Sequence, residues 1–342
     1  MEEKTVYKMS ANENSIGPSA KAVAAMTKAV QSANRYPPYI DQGLREALAA
    51  YHGQGLTADH IYTGNSGCEV IEFIYRQMLS PGDNAIVCSP TFGIYFRYGK
   101  MFDIETRDVP LIQPDFTLDV DGILAAVNEN TKLLVIINPN NPTGTLIGKE
   151  AYNALIEQLP KHVTLLADEV YYTFSEQDEL ADIIGHINAG KNVIRVHSFS
   201  KAFGMAGLRL GYGIASVERA TALRGLQRAF HINAVSTEGA KAVLCDDQYI
   251  NSGIKNARDG RAYLYGELDR LDVRYWPSQT NFVMIETKFQ SADMAERLEA
   301  AGILVRNPKD QLIPNCVRVT VGLPEENQVF IERLEEILAA QS

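Results

Sequence analysis

Short runs of aliphatic and β-branched residues alternate with helical patterns between about Tyr36 and Ala240. The runs are apolar on both faces rather than at alternate positions, which is typical of parallel strands covered by helices. Between two of them, the apolar positions from Val70 to Leu79 recur at helical spacing and form one face. The alternation predicts a mostly parallel, doubly wound α/β sheet. The predicted strands are Ala85–Ser89, Leu133–Asn138, Thr164–Asp168 and Val193–His197.

The pattern changes after Ala240, where a long polar helix is followed by two further strand candidates and a closing helix. These elements predict a smaller α+β domain beside the large one. We expect an N-terminal arm with part of the small domain at 1–34, a large domain at 35–245 and the rest of the small domain at 246–342. The predicted C-terminal elements are Asn251–Leu271, Asn281–Glu286, Cys316–Val321 and Glu325–Leu338.

The acidic composition of the chain argues against nucleic acid and membranes as binding partners. The 342 residues are 46% hydrophobic and 22% charged, with a formal net charge of −10. An acidic chain is disfavoured as a partner of nucleic acid or of an anionic membrane, because both attract basic surfaces. The first fifteen residues lack the apolar core of a signal peptide, and no apolar run reaches membrane-spanning length. We therefore expect a cytoplasmic protein.

The four cysteines are widely scattered and form no CxxC pair, so neither a zinc site nor a disulfide framework is predicted. We expect reduced thiols and no bound metal. The cysteines are Cys68, Cys88, Cys245 and Cys316.

Candidate chemistry begins in the segment 198–209, SFSKAFGMAGLR, which follows a predicted strand. Ser198, Ser200 and Arg209 can bind a phosphate, and an arginine fork suits phosphate oxygens better than a lysine. Lys201 can hold a carbonyl compound as an imine once burial and nearby positive charge favour its neutral form. An ordinary lysine in a surface loop is the alternative, and the other motifs decide against it.

Asp168 ends an apolar strand, where an unpaired carboxylate would be costly. Paired with a protonated pyridine nitrogen, it would keep such a ring cationic and able to accept electrons. The alternative is a helix-capping aspartate, a common role just after a strand. Because Lys201 follows at the end of the next strand, the cofactor role is favoured.

Three further motifs follow strands or open helices, and each has a structural alternative. The segment 138–144, NPNNPTG, supplies Asn141, whose amide could donate to a phenolate oxygen together with the Tyr171 hydroxyl. Without the other motifs, this segment would indicate only a tight loop. The segment 63–69, TGNSGCE, opens a helix and could cradle phosphate through backbone N–H groups, although a simple helix cap would look alike. Phe92 could lie flat on a ring or belong to the core.

Six segments together carry a family resemblance, namely SANENSIGPS, ANRYPP, NPNNPTG, ADEVYY, SFSKAFGMAGLRLGY and NCVRVTVG. In these the chain resembles the fold-type-I pyridoxal-phosphate enzymes of the class I/II aminotransferases, and most closely their histidinol-phosphate aminotransferase branch. The resemblance spans nearly the whole chain. It implies pyridoxal 5'-phosphate as cofactor and a homodimer with shared active sites.

The resemblance also implies roles for individual residues. Lys201 would form the internal aldimine and carry protons, Asp168 would pair with the pyridine nitrogen, and Phe92 would stack on the ring. Asn141 and Tyr171 would hold the phenolate oxygen. The residues implied in phosphate binding are Gly67 and Cys68 through their backbone, Ser198, Ser200 and Arg209, with Tyr36 reaching the cofactor of the neighbouring subunit.

On the substrate side, Arg318 would bind the acidic group, with Arg306 beside it and Asn12 closing over the site. Guanidinium forks accept a phosphate ester as well as a carboxylate, so one pocket could serve both substrates. Three positions depart from the usual branch pattern. Cys68 replaces an acidic residue, Ser15 replaces a proline, and His231 replaces an asparagine, so that His231 is either a substrate contact or a structural filler.

The resemblance implies ping-pong transamination from histidinol phosphate to 2-oxoglutarate. Transamination of aromatic or other amino acids, and decarboxylation or oxidation on the same fold, remain alternatives, because the bond that breaks is not set by the fold. A non-catalytic regulator that has kept the fold is a further alternative, but Lys201, Asp168 and Arg318 are all present.

Overall fold

The computed structural model describes residues 6–340. The helices are α1 (Ala20–Val30), α2 (Gln42–His52), α3 (Gly67–Met78), α4 (Ile94–Met101), α5 (Val120–Ala126), α6 (Lys149–Gln158), α7 (Ile183–Asn188), α8 (Val217–Arg224), α9 (Ala234–Val243), α10 (Asp247–Arg270), α11 (Ser291–Ala300) and α12 (Pro324–Ala339).

The strands are β1 (Tyr7–Lys8), β2 (Ile61–Gly64), β3 (Asn84–Val87), β4 (Glu105–Asp108), β5 (Thr131–Ile137), β6 (Thr164–Asp168), β7 (Val193–Ser198), β8 (Gly211–Ile214), β9 (Arg274–Tyr275), β10 (Phe282–Glu286), β11 (Ile303–Leu304) and β12 (Cys316–Thr320).

A seven-stranded sheet forms the centre of the molecule, with the strand order β2-β8-β7-β6-β5-β3-β4. Strands β3 to β7 pair in parallel, whereas β8 runs antiparallel to both of its neighbours. The parallel strands β3, β5, β6 and β7 are buried almost throughout, because helices cover both faces. The prediction of a mostly parallel, doubly wound sheet is confirmed.

The sequence pattern did not reveal β8, because two glycines interrupt its apolar run. A Cβ atom on Gly211 would lie 2.4 Å from the backbone nitrogen of Gly67, and one on Gly213 would lie 2.3 Å from the ring of Tyr62. Glycine is therefore needed at both positions, because the start of α3 and the buried Tyr62 ring lie too close to the strand for any side chain.

The C-terminal part forms a three-stranded antiparallel sheet of order β12-β10-β9, packed with α11 and α12 around a separate apolar cluster. Strand β1 pairs in parallel with β11, while α1 packs against α9. The domain boundaries after residues 34 and 245 stay a prediction. Among residues 6–340, no helix is both long and apolar enough to cross a membrane.

Candidate active site

Three neighbouring strands end at the same edge of the central sheet. Ile137, the last residue of β5, lies opposite Asp168 at the end of β6. Strand β7 ends at Ser198, two residues beyond the partner of Asp168. Parallel strands bring their carboxyl ends together at one edge, where α/β sheets bind ligands. The segments that begin at Asn138, Asp168 and Ser198 therefore meet there.

Asp168 is a buried carboxylate held by two hydrogen bonds. The Tyr95 hydroxyl donates to its Oδ2 at 2.6 Å, and the Val170 backbone N–H donates to its Oδ1 at 3.2 Å. Burial raises the pKa of Asp168 to about 6, while these two hydrogen bonds oppose the rise. Within residues 6–340 the carboxylate forms no salt bridge. Each carboxylate oxygen therefore accepts one hydrogen bond.

Lys201 lies in the loop after β7, with its Nζ donating to the carbonyl oxygen of Ala11 at 2.7 Å. Burial, and then the positive charge of Arg318, lower the pKa of Lys201 to about 8 against the opposing charge of Glu13. A substantial part of the amine is therefore neutral just above neutral pH. The charge of Asp168 and that of Lys201 both act on the pKa of the Cys68 thiol, which burial raises.

The start of α3 lies beside the start of the lysine loop. A Cβ atom on Gly67 would lie 3.6 Å from the Cβ of Ser198, and the Ser200 backbone N–H donates to the Ser198 Oγ at 3.1 Å. Ser66 caps the helix with its side chain. Free N–H groups at a helix start together with serine hydroxyls form a site suited to a phosphate.

Arg209 adds positive charge to this region. It adopts a left-handed backbone conformation with φ 53°, and its side chain is exposed and donates to the carbonyl oxygen of Ala206 at 2.9 Å. Its charge acts on the pKa of Lys201 and on that of Cys68, lowering both. Arg209 therefore lies within electrostatic reach of both residues.

Asn141 and Tyr171 are each oriented by a second side chain. Arg318 donates from one terminal nitrogen to the Asn141 Oδ1 at 2.5 Å, and the Asn12 Nδ2 donates to the Tyr171 hydroxyl oxygen at 2.8 Å. With these acceptor atoms occupied, the Asn141 Nδ2 and the Tyr171 hydroxyl proton are left as donors. Asn12 is itself fixed by Thr320, whose hydroxyl accepts from its backbone N–H at 2.9 Å.

Arg318 is buried on β12, and its other terminal nitrogen donates to the carbonyl oxygen of Ser10 at 2.7 Å. Its Nε has no hydrogen-bond partner among the residues described. The backbones of Arg318 and Arg306 exchange two hydrogen bonds of 2.9 Å, so the two residues are direct antiparallel neighbours. Burial lowers the pKa of Arg318 to about 10, against the effect of Tyr171 and with a further contribution from Arg306. Arg306 itself is exposed.

Two aromatic candidates lie at the surface. Phe92 is 38% exposed and meets the Tyr95 ring edge-on, with 6.5 Å between the ring centroids. Tyr36 is 82% exposed and stacks on Phe230 at 4.6 Å. In this chain Tyr36 therefore lies on an aromatic surface patch, which Tyr39 extends with an edge-on contact to Phe230 at 5.4 Å.

His231 contacts the first turn of α3. Its Nε2 lies 2.8 Å from the Glu69 Oε2 and 3.3 Å from the Asn65 Nδ2. The Asn65 backbone N–H also donates to this Glu69 oxygen. These contacts join the loop before α9 to the start of α3, which carries Gly67, and the role of His231 stays a prediction.

Sequence reasoning did not single out Tyr95, the hydrogen-bond donor to Asp168. Its only mark in the sequence is that it follows Phe92 by three residues; in the structure its backbone N–H donates to the Phe92 carbonyl oxygen at 3.4 Å, in the turn that leads into α4. The Ser10 and Ala11 carbonyl groups were also missed, since backbone acceptors leave no mark in a sequence. Among residues 6–340, no three His, Cys, Asp or Glu side chains are grouped as metal ligands would be.

Comparison with known proteins gives consistent matches along the chain. The family model described as aminotransferase class I and II matches residues 4–334. The chain is 36% identical over 334 residues to histidinol-phosphate aminotransferase 2 of Carboxydothermus hydrogenoformans, covering 97% of this chain and 91% of that protein. It is 33% identical over 333 residues to histidinol-phosphate aminotransferase of Akkermansia muciniphila, covering 97% and 90%.

Solved structures show the same fold. The histidinol-phosphate aminotransferase of Sinorhizobium meliloti in complex with pyridoxal-5'-phosphate has a TM-score of 0.93 at 26% identity, covering 99% of this chain and 92% of that one. The aspartate aminotransferase of Thermus thermophilus with maleate has a TM-score of 0.87 at 24% identity, covering 97% and 92%. The second likeness concerns the fold alone.

Proposed function

Because this chain belongs to the class I and II aminotransferases, we propose that it transfers the amino group of histidinol phosphate to 2-oxoglutarate. It is a pyridoxal-phosphate-dependent transferase. The observation that carries the choice of amino donor is the identity of 36% over 97% of the chain to a histidinol-phosphate aminotransferase. The arrangement of Arg318 and Arg306 supports it, since two guanidinium groups suit a phosphate ester and a carboxylate alike.

The residues present fit this cofactor. When bound, pyridoxal phosphate supplies an aldehyde that condenses with amines and a ring that accepts electrons. Asp168 is buried without a cation partner among the described residues, and Lys201 has a pKa lowered to about 8. A cationic ring nitrogen would compensate the first group, and a reactive amine is what the second provides.

We assign the remaining cofactor contacts by their positions. Asn141 and Tyr171 would donate to the phenolate oxygen, because their acceptor atoms are already bound by Arg318 and Asn12. Phe92 would cover one face of the ring. The residues that would hold the phosphate are Gly67, Cys68, Ser198, Ser200 and Arg209. The closeness of Gly67 to Ser198, the hydrogen bond from Ser200 to Ser198 and the effect of the Arg209 charge on Cys68 support this assignment.

Lys201 is the residue that would move the proton of the substrate. Its amine must be neutral to accept a proton and must then give it back, and a pKa near the working pH serves both directions. The carbonyl oxygen of Ala11, 2.7 Å from Nζ, orients the amine towards the N-terminal segment. One group can therefore remove a proton at the substrate carbon and return it nearby.

We also propose a cytoplasmic homodimer with shared active sites. Tyr36, Tyr39 and Phe230 form an exposed aromatic cluster, and such clusters are typical of protein interfaces. Light scattering gives the oligomeric state. If Tyr36 serves the partner's site, mixing Lys201→Ala with Tyr36→Phe subunits will restore part of the activity that each variant lacks.

The amino donor is tested by a panel of histidinol phosphate, phenylalanine, tyrosine, aspartate and arginine, each with 2-oxoglutarate. We expect glutamate and one equivalent of keto product from histidinol phosphate, with the highest kcat/KM of the panel. A higher value for another donor would contradict the proposed substrate but not the transaminase chemistry. Release of carbon dioxide without glutamate would contradict transamination itself.

A further inference from the structure

Tyr95 is a buried tyrosine on α4 whose hydroxyl meets the carboxylate of Asp168. Its side chain is completely buried, and its hydroxyl donates to the Asp168 Oδ2 at 2.6 Å. The hydroxyl of Tyr75 donates to the Tyr95 carbonyl oxygen at 3.2 Å, and this contact holds the first turn of α4 against α3. Tyr95 is therefore held at two points, through its backbone carbonyl by Tyr75 and through its hydroxyl by Asp168.

The hydrogen bond distinguishes between the two protonation states of Asp168. A hydroxyl that donates to an ionised carboxylate forms a short, charge-assisted hydrogen bond, about twice as strong as its neutral counterpart. Burial alone favours the neutral acid. Tyr95 therefore opposes the effect of burial, and it does so at the oxygen that the Val170 backbone N–H does not contact.

We propose that Tyr95 is a positioning residue that keeps Asp168 ionised and thereby keeps the proton on the ring nitrogen of bound pyridoxal phosphate. This inference rests on the proposed function, in which Asp168 is the partner of that nitrogen. Without the donated hydrogen bond, the carboxylate gains proton affinity, and the shared proton moves towards Asp168. The ring then loses the positive charge that lets it accept electrons.

The position of Tyr95 also links two ring contacts. Phe92, the residue expected to stack on the ring, lies three positions earlier and touches the Tyr95 ring edge-on. With Val170 on one carboxylate oxygen and Tyr95 on the other, the plane of the Asp168 carboxylate is fixed. The segment from Phe92 to Tyr95 would therefore set both the face of the ring and the charge of its nitrogen partner.

The test uses Tyr95→Phe, which removes one oxygen atom, and measures how tightly the apoenzyme binds two probes. One probe is pyridoxal phosphate, and the other is its analogue with C–H in place of the ring nitrogen. The matched control is Tyr152→Phe. Tyr152 is also fully buried, but its hydroxyl has no hydrogen-bond partner among residues 6–340. Circular dichroism and thermal unfolding check that each variant folds like the unchanged protein.

We expect Tyr95→Phe to weaken pyridoxal phosphate by roughly tenfold or more, as the loss of a hydrogen bond to a charged group predicts. The analogue, which carries no proton on its ring, should bind as it does to the unchanged protein. Tyr152→Phe should leave both dissociation constants unchanged. Equal weakening of both probes by Tyr95→Phe would assign a packing role and overturn the proposal, and so would no weakening of either.

The affinities of the unchanged protein for the two probes distinguish a failure of this inference from a failure of the proposed function. If it binds pyridoxal phosphate no more tightly than the analogue, Asp168 is not a partner of the ring nitrogen, and both proposals fail. If it prefers pyridoxal phosphate and Tyr95→Phe keeps the full preference, only the role of Tyr95 is refuted.

Discussion

Replacing Arg318 by glutamine should raise the pKa of Lys201 and shift cofactor uptake to higher pH. The two cations donate to consecutive carbonyl oxygens, Lys201 to Ala11 and Arg318 to Ser10, each at 2.7 Å. Because consecutive residues are about 3.8 Å apart, the two charges lie within roughly 9 Å of each other. At an effective dielectric constant of about 20, their repulsion is about 2 kcal/mol, or slightly more than one pKa unit.

The sign follows from the direction of the shift. Burial, and then the positive charge of Arg318, disfavour the ammonium form, so the pKa of Lys201 lies at about 8 rather than at its usual 10.5. Only the neutral amine condenses with an aldehyde. Removing the charge of Arg318 should therefore move the midpoint upward by about one unit, and below that midpoint the neutral fraction should fall about tenfold.

The assay is the rate at which pyridoxal phosphate condenses with apoenzyme, followed by absorbance from about pH 6 to about pH 10, a range that brackets the lowered lysine pKa. No amino substrate is present, so the loss of a substrate contact cannot change the result. Arg318→Lys is the matched control, because it keeps the charge while losing the forked geometry. Its midpoint should stay near that of the unchanged protein. A midpoint for Arg318→Gln that is unchanged or lower would refute the reasoning.

Three further outcomes follow from single contacts. Lys201→Ala should lose turnover and the visible absorbance of the enzyme-bound cofactor, and normal transamination by this variant would contradict the mechanism. Glu169→Ala should lower the free energy of unfolding by about 3–5 kcal/mol in denaturant titrations, because it leaves Arg195, a buried partner at 2.5 Å, without compensation. Gly211→Ala should weaken pyridoxal phosphate binding in equilibrium titrations, since its Cβ would push against the backbone of Gly67. An unchanged affinity would contradict this prediction and would mean that the start of α3 shifts without loss of binding.

The sequence predicted the parts of the fold that depend on local pattern. Continuous apolar runs indicated strands such as Thr164–Asp168, which the structure reproduces residue for residue. Pattern reasoning failed where a tertiary contact replaced side chains with glycine, as at Gly211 and Gly213 in β8. It also failed at the sheet edge, where β4 carries polar residues because one side of the strand is open.

For the site, the sequence indicated which groups lie near the sheet edge but not how they are oriented. Residues that end parallel strands, such as Asp168, come together through the topology alone. The contacts from Tyr95 to Asp168 and from Arg318 to Asn141 join segments 73 and 177 positions apart. No local pattern encodes a pairing at such separations. His231 shows the same limit, since its contact with Glu69 across 162 positions could not be read from the loop that contains it.

If Arg318 binds the acidic group of the substrate, as proposed, it connects substrate binding with the chemistry of Lys201. It holds the amide of Asn141, and its charge contributes to the lowered pKa of Lys201. When the acidic group of a substrate pairs with Arg318, part of that positive charge is neutralised. The pKa of Lys201 then rises, so the amine becomes a stronger base at the moment when a substrate proton is to be removed. A substrate without an acidic group would leave Lys201 the weaker base, and this favours acidic substrates beyond the affinity that the guanidinium contact provides.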